Sequence, residues 1–291
     1  MLNIRCEDII KQGIRGEGYA RIRLNKTVAR NVAGQRSNVG YGRLMVSNWD
    51  ERDGWIEADW DPAKEISLTL FLDGAEMATI LCTPEKLNAL VVGFLRSEGI
   101  IERLEDIVLM RVCEDEGVAD VRLARPSKVP EKRILTSGCG MGVTFESGSS
   151  LVPIRSGYRS NPGQVISCMK QLLHSDGGRN TKGGLHLSAL SDGESLLVVS
   201  RDVGRHNTLD KIFGECLFRG IETRDRMLLT TGRISSEMVA KAVKMGVPLA
   251  ASINSPTDRA VRLAEEMGVA VVGYARAGRL TAYSHLERLR G

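Results

Sequence analysis

The chain has 291 residues, of which 42% are hydrophobic and 26% charged, with a formal net charge of +4 and six cysteines. That length carries one large domain or two modest ones, and no apolar run reaches membrane-spanning length, so no membrane partner is expected. Six scattered cysteines form neither a disulfide framework nor a repeated metal-ligand spacing, which points to the reducing cytoplasm and to no metal site.

Residues 1–50 hold nine Lys/Arg against four Asp/Glu, and the rest holds thirty-one against thirty-two. The basicity belongs to the N-terminal arm, and the body is not expected to bind nucleic acid. Residues 1–58 show weak periodicity and are expected to form a poorly defined basic extension, with Trp49, Trp55 and Trp60 available to anchor its end.

Residues 59–125 predict a small α+β domain. Ile66 to Leu72 and Glu76 to Cys82 read as strands around the turn Asp73-Gly74. Thr83-Pro84-Glu85 has the form of a helix N-cap, and Leu87, Leu90, Val91, Phe94 and Leu95 follow on one face up to Gly99. A second strand pair, Ile107 to Cys113 and Val118 to Leu123, closes the unit. Residues 126–160 read as a long loop or linker.

Residues 161–291 have another rhythm: a helix from Asn161-Pro162, a hairpin around Asp192-Gly193, then three helix–strand units ending at Tyr274. Alternation of this kind forces parallel strands with crossover helices, so the expected class is α/β, a mixed, mainly parallel sheet layered with helices.

Two features carry chemistry. Thr136-Ser137-Gly138-Cys139-Gly140-Met141-Gly142 sets a single thiol between glycines, either a tight turn that contains a cysteine or an arm presenting a nucleophile. Ligands of such sheets bind beyond the carboxyl ends of the strands. There the sequence places Asp202 to Asn207, Thr231 to Ser235, Asn254 to Thr257 and Arg276 to Arg279. Arginines and free helix N–H groups on one rim favour a phosphorylated ligand. Arg205, His206 and Asn207 are its candidate contacts. His186 is as well read as a core histidine as a ligand contact. Cys82, Cys113, Cys168 and Cys216 fall in predicted strands or helices and are expected to be mostly inert.

Several stretches together resemble the formate dehydrogenase accessory sulfurtransferase family, also called FdhD. They are Cys82-Thr83-Pro84, Gly93 to Gly99, Thr136 to Gly140, Gly183-Gly184-Leu185-His186, Asp202 to Lys211 and Gly273 to Arg276, in the family's order. The resemblance implies a cytidine-deaminase-like main domain. It also implies a sulfur carrier that passes persulfide sulfur from a cysteine desulfurase to the molybdenum bis(molybdopterin guanine dinucleotide) cofactor of formate dehydrogenase. The family's persulfide cysteine falls on Cys139, and its cofactor-contacting segment on Tyr274, Ala275, Arg276, Ala277, Gly278 and Arg279. Where the family commonly has a second loop cysteine, this chain has Gly142, so release by an internal disulfide has no partner thiol here.

Two rival readings are a cofactor-binding chaperone without sulfur chemistry and a zinc nucleoside deaminase. The deaminase needs His-x-Glu and Pro-Cys-x-x-Cys, and neither string occurs. A two-lobed ligand makes a homodimer an expectation without a sequence feature to carry it.

Overall fold

The computed structural model describes residues 44–60, 62–125, 133–135, 143–145, 151–175 and 184–291, the two three-residue pieces by backbone alone. Residues 1–43 and Cys139 lie outside the described residues.

The first described element is a hairpin where the sequence reading expects the end of a poorly defined extension, and its tryptophans are exposed instead of anchored: β1 (Leu44–Asp50) and β2 (Gly54–Trp60), paired antiparallel from Leu44↔Trp60 to Asp50↔Gly54. Both faces are largely exposed, so the in–out alternation that marks a half-buried strand is missing from the sequence.

The small unit is a four-stranded sheet in the order β4-β3-β6-β5, built from β3 (Ile66–Leu72), β4 (Ala75–Cys82), β5 (Ile107–Cys113) and β6 (Val118–Leu123). Leu68, Leu70 and Leu72 bury one face of β3 against Leu90, Val91 and Leu95 of α1 (Leu87–Ser97). The helix starts later than the expected cap at Thr83. Lys86 is its N-cap, in a left-handed conformation with φ 53°. Thr83 is committed elsewhere, because its N–H and hydroxyl both donate to Asp202 Oδ2, at 3.0 and 3.1 Å.

Two short strands, β7 (Arg133–Leu135) and β8 (Val143–Phe145), pair antiparallel and frame residues 136–142. Residues 151–160 belong to the large unit instead of a linker: Ile154 N–H donates to Met267 O at 2.8 Å and Ser160 N–H to Arg288 O at 2.8 Å.

The large unit is a six-stranded sheet in the order β10-β9-β11-β12-β13-β14. Its elements are α2 (Pro162–His174), β9 (His186–Ser191), β10 (Leu196–Asp202), α3 (Arg205–Arg219), β11 (Met227–Thr230) and α4 (Ser236–Lys244). They continue through β12 (Leu249–Ser252), α5 (Asp258–Met267), β13 (Ala270–Arg276) and β14 (Arg279–Ala282). Alternate strand residues face opposite layers. Leu228, Ala250 and Val271 pack with α3, α4 and α5, while Leu229, Ala251 and Val272 pack with Val165, Met169 and Leu172 of α2. β11, β12 and β13 are parallel, and β9 is antiparallel to both β10 and β11. The expected mixed α/β sheet is therefore present, but it is not mainly parallel by pairing: the β9–β10 hairpin and the edge strand β14 make three of its five strand pairings antiparallel. Thr257 is the N-cap of α5, its hydroxyl accepting Ala260 N–H at 3.2 Å, and β14 adds an antiparallel edge strand after Tyr274.

The two units meet through α1 and α3, which cross at two glycines. A Cβ on Gly93 would sit 1.8 Å from Asp210 O, and one on Gly214 would sit 2.0 Å from Ala89 O. Backbone-to-backbone contact of this kind tolerates no side chain.

Candidate functional site

Because β10, β11, β12 and β13 run in one direction, their carboxyl ends gather at a single edge, as the alternation requires. Three loops are knitted there by Asn254. Its side-chain amide donates to Thr231 O at 2.7 Å, its N–H donates to Ser252 Oγ at 2.9 Å, and its carbonyl accepts Tyr274 N–H at 3.3 Å. Ser252 Oγ in turn donates to Gly232 O at 2.6 Å. The sequence reading named Asn254 only as part of a turn. Its role depends on a strand order that the sequence does not spell out.

Arg205 and His206 open α3 at this rim. Arg205 is buried against Gly232, where an added Cβ would meet Arg205 Cβ at 2.9 Å and His186 Nδ1 at 3.5 Å. His206 Nε2 faces Glu237 Oε2 at 3.0 Å and Ser235 Oγ at 3.3 Å. Both contacts use the same ring nitrogen, so the three groups do not form a relay that passes a proton through the imidazole. The hydrogen bond from His206 holds the Glu237 carboxyl below its ordinary value, with the charge of Arg205 assisting. His186, half-buried at the start of β9, is pushed below the usual imidazole range by burial, then by Arg205 and His206. The core-or-ligand question thus resolves to a half-buried histidine on the rim.

Tyr274 to Arg279 form the turn between β13 and β14 at the same edge. Tyr274 is exposed at φ 51°, Ala275 is buried, and Ala277 and Gly278 also have positive φ, at 51° and 75°. Arg276 and Arg279 lie opposite each other across the turn and, like Arg233, are exposed. Neither of the two N-terminal turns at Gly204 and Ser235 has a side-chain cap.

The third candidate of that trio, Asn207, turns away from the rim. Its amide donates to Leu81 O of the small unit at 2.7 Å and to Asp202 Oδ1 at 2.8 Å. It belongs to a buried network in which Lys211 Nζ meets Asp202 Oδ2 at 2.6 Å and donates to Thr83 Oγ1 at 2.7 Å. Lys211 and Asp202 are both fully buried. Further along α3, Asp210 pairs with Lys241 and accepts Ser97 Oγ at 2.7 Å. The run Asp202 to Lys211 therefore has two jobs: it presents Arg205 and His206 and it fastens the two units together.

β8, which follows residues 136–142, packs against β4, and β4 ends at Cys82, next to Thr83 and its bond to Asp202. Of the other cysteines, Cys82 and Cys216 are buried and their thiols are pushed up to about 12, in both cases chiefly by burial. Cys168 is buried and raised by the same cause, and Cys113 is half-buried. A cleft of about 690 Å³ opens at the opposite end of the strands, between Arg96, Ile154, Leu217, Arg224 and Lys244, with the unreactive Cys216 in its lining.

Comparison with known proteins places this arrangement. Residues 63–290 match the FdhD/NarQ family. The sulfur carrier protein FdhD of Bacillus subtilis (strain 168) is 37% identical over 233 residues, covering 78% of this chain and 89% of the relative. The protein of the same name from Staphylococcus aureus (strain MRSA252) is 37% identical over 232 residues, covering 77% and 88%. A crystal structure of a candidate formate dehydrogenase accessory protein from Desulfotalea psychrophila superposes with a TM-score of 0.71 at 26% identity, covering 85% of this chain and 99% of that one. With residues 63–290 matched and relatives 37% identical over more than three quarters of the chain, the chain belongs to the FdhD/NarQ family.

Proposed function

We propose that this protein is a sulfur carrier that acts through Cys139 and delivers sulfane sulfur to the molybdenum bis(molybdopterin guanine dinucleotide) cofactor, its substrate, on behalf of formate dehydrogenase. Cys139 as thiolate attacks the terminal sulfur of a cysteine desulfurase persulfide. A new S–S bond forms to Cys139, the donor's S–S bond breaks, and the donor cysteine leaves as thiolate. The cofactor, with its two pyrophosphates, is held at the carboxyl edge of a cytidine-deaminase-like body by Arg276 and Arg279, by Arg205, and by the N-termini of α3 and α4. Tyr274, exposed on that edge, offers its ring to a base. A relay through a free thiolate suits a reducing compartment, hence the cytoplasm.

The observation that carries this reading is the convergence of exposed Arg233, Arg276 and Arg279 with two uncapped helix N-termini on one edge, in a family whose relatives are named sulfur carriers. Incubation with a cysteine desulfurase and cysteine should add one sulfur atom to the Cys139 peptide, read by mass spectrometry. Cys139→Ala should abolish that gain and leave nucleotide binding at the rim unchanged. Sulfur uptake that persists in the alanine variant refutes the assignment.

A second reading, a cofactor chaperone without sulfur chemistry, is favoured by Gly142 at the place of a second loop cysteine. It predicts cofactor binding with no sulfur gain at Cys139 under the same conditions.

A further inference from the structure

The matched region begins at residue 63, so the hairpin of β1 and β2 stands outside the carrier body. Its register puts Met45, Ser47 and Trp49 on one face, opposite Asp59, Glu57 and Trp55. Trp49 and Trp55 are 64% and 71% exposed, and their rings meet edge to face with centroids 5.5 Å apart. A two-stranded ribbon is marginally stable by itself in water, and indoles this exposed contribute little to holding it. The hairpin is also acidic: Asp50, Glu51, Asp53, Glu57 and Asp59 stand against Arg52 alone. Asp50 serves its turn, with Oδ1 accepting the N–H of Arg52 at 2.8 Å and of Asp53 at 3.3 Å.

Indole faces flanked by carboxylates select a cation, since an ammonium or guanidinium is attracted both by the ring quadrupole and by the negative charge. Directly before β1 the chain supplies such groups. Residues 1–43 hold nine Lys/Arg against three Asp/Glu, and from residue 18 to residue 43 there are six, Arg21, Arg23, Lys26, Arg30, Arg36 and Arg43, with no acid. We propose that the Trp49–Trp55 face is the docking site of the chain's own basic residues 1–43. Covalent continuity gives that segment an effective concentration on the order of millimolar at the hairpin, so individually weak arginine–indole contacts suffice. The docked segment covers the indoles and neutralises the acidic hairpin, and a more strongly cationic partner displaces it.

All three tryptophans of the chain, Trp49, Trp55 and Trp60, lie in the hairpin, so tryptophan emission reports on it alone. The full chain should be compared with a full-length variant carrying Arg21→Glu, Arg23→Glu, Lys26→Glu and Arg30→Glu, by acrylamide quenching at low and high sodium chloride. At low salt the wild type should be quenched roughly twofold less than the variant, and high salt should erase the difference by screening. Adding Glu57→Lys to the charge-reversed chain should restore part of the protection. Equal quenching of wild type and variant at low salt overturns the proposal. So does protection that rises with protein concentration, which would make the occupant a second copy. Failure of Glu57→Lys to restore protection, with the tryptophan pair still visible by circular dichroism, also overturns it.

Discussion

At the scale of single residues, the most consequential side chain is Lys211. Its ammonium is sealed from water and answered by Asp202, Thr83 Oγ1 and two backbone carbonyls, Thr83 O and Arg201 O. Lys211→Met keeps the volume and leaves a buried carboxylate without its counter-charge. It should cost roughly 3–5 kcal/mol, read as a fall in the urea midpoint. Replacing Asp202 as well should recover only part of this, because Asp202 also accepts the N–H groups of Thr83 and Gly204. Glu237 makes a different prediction. Its folded-state pKa lies below the ordinary 4.5, so its pairing with His206 stabilises the fold above that value and is lost as pH falls through the lowered one. Glu237→Gln should therefore flatten the loss of stability on acidification below about pH 4.5, while leaving the neutral-to-alkaline profile in place. Urea titrations at a series of pH values would show an unchanged acid limb if the pairing contributes nothing.

At the scale of elements, the crossing of α1 and α3 depends on what is missing from it. In a solvent-facing helix, glycine to alanine stabilises by about 1 kcal/mol. At Gly214 the sign reverses, since the new methyl would occupy the place of Ala89 O. Gly214→Ala should lower stability by about 3 kcal/mol or more, measured by thermal unfolding, with Gly93→Ala behaving alike against Asp210 O. Much of this layer was legible in the sequence. Apolar spacing gave α1 its buried face, Asn161 with Gln164 makes the capping box that starts α2, and Gly220 and Gly268 close α3 and α5 with left-handed caps. What escaped was set by partners distant in the chain. Thr83 has every attribute of a cap, yet its donors go to Asp202, 119 residues away. Asn207 sits among rim residues in sequence and points into the other unit in space. β14 was missed because Arg279-Leu280-Thr281-Ala282 is too short and too polar to show a period; only pairing with β13 makes it a strand. Cys139, the residue on which the sequence reading rested most, lies outside the described residues, and its assignment stands on the family motif.

At the scale of the whole molecule, two sheets with separate cores are joined over a surface that holds buried charge. Besides Lys211 with Asp202, Arg201 grips Glu85 through Nε and Nη2 at 2.8 and 2.6 Å, and Lys86 pairs with Glu215 at the margin. Parting the units would strand Asp202, Lys211, Asp210 and Lys241 in new surroundings together with the faces of two helices. Among the described residues the join consists of packed helix faces and buried ion pairs, so the proposed carrier should exchange its cargo with both cores shut. Condensing Lys86 and Glu215 into an amide with a zero-length coupling reagent would weld the halves at their rim; a welded carrier should load sulfur at the speed of the untreated one, and a stalled one would mean the halves must breathe.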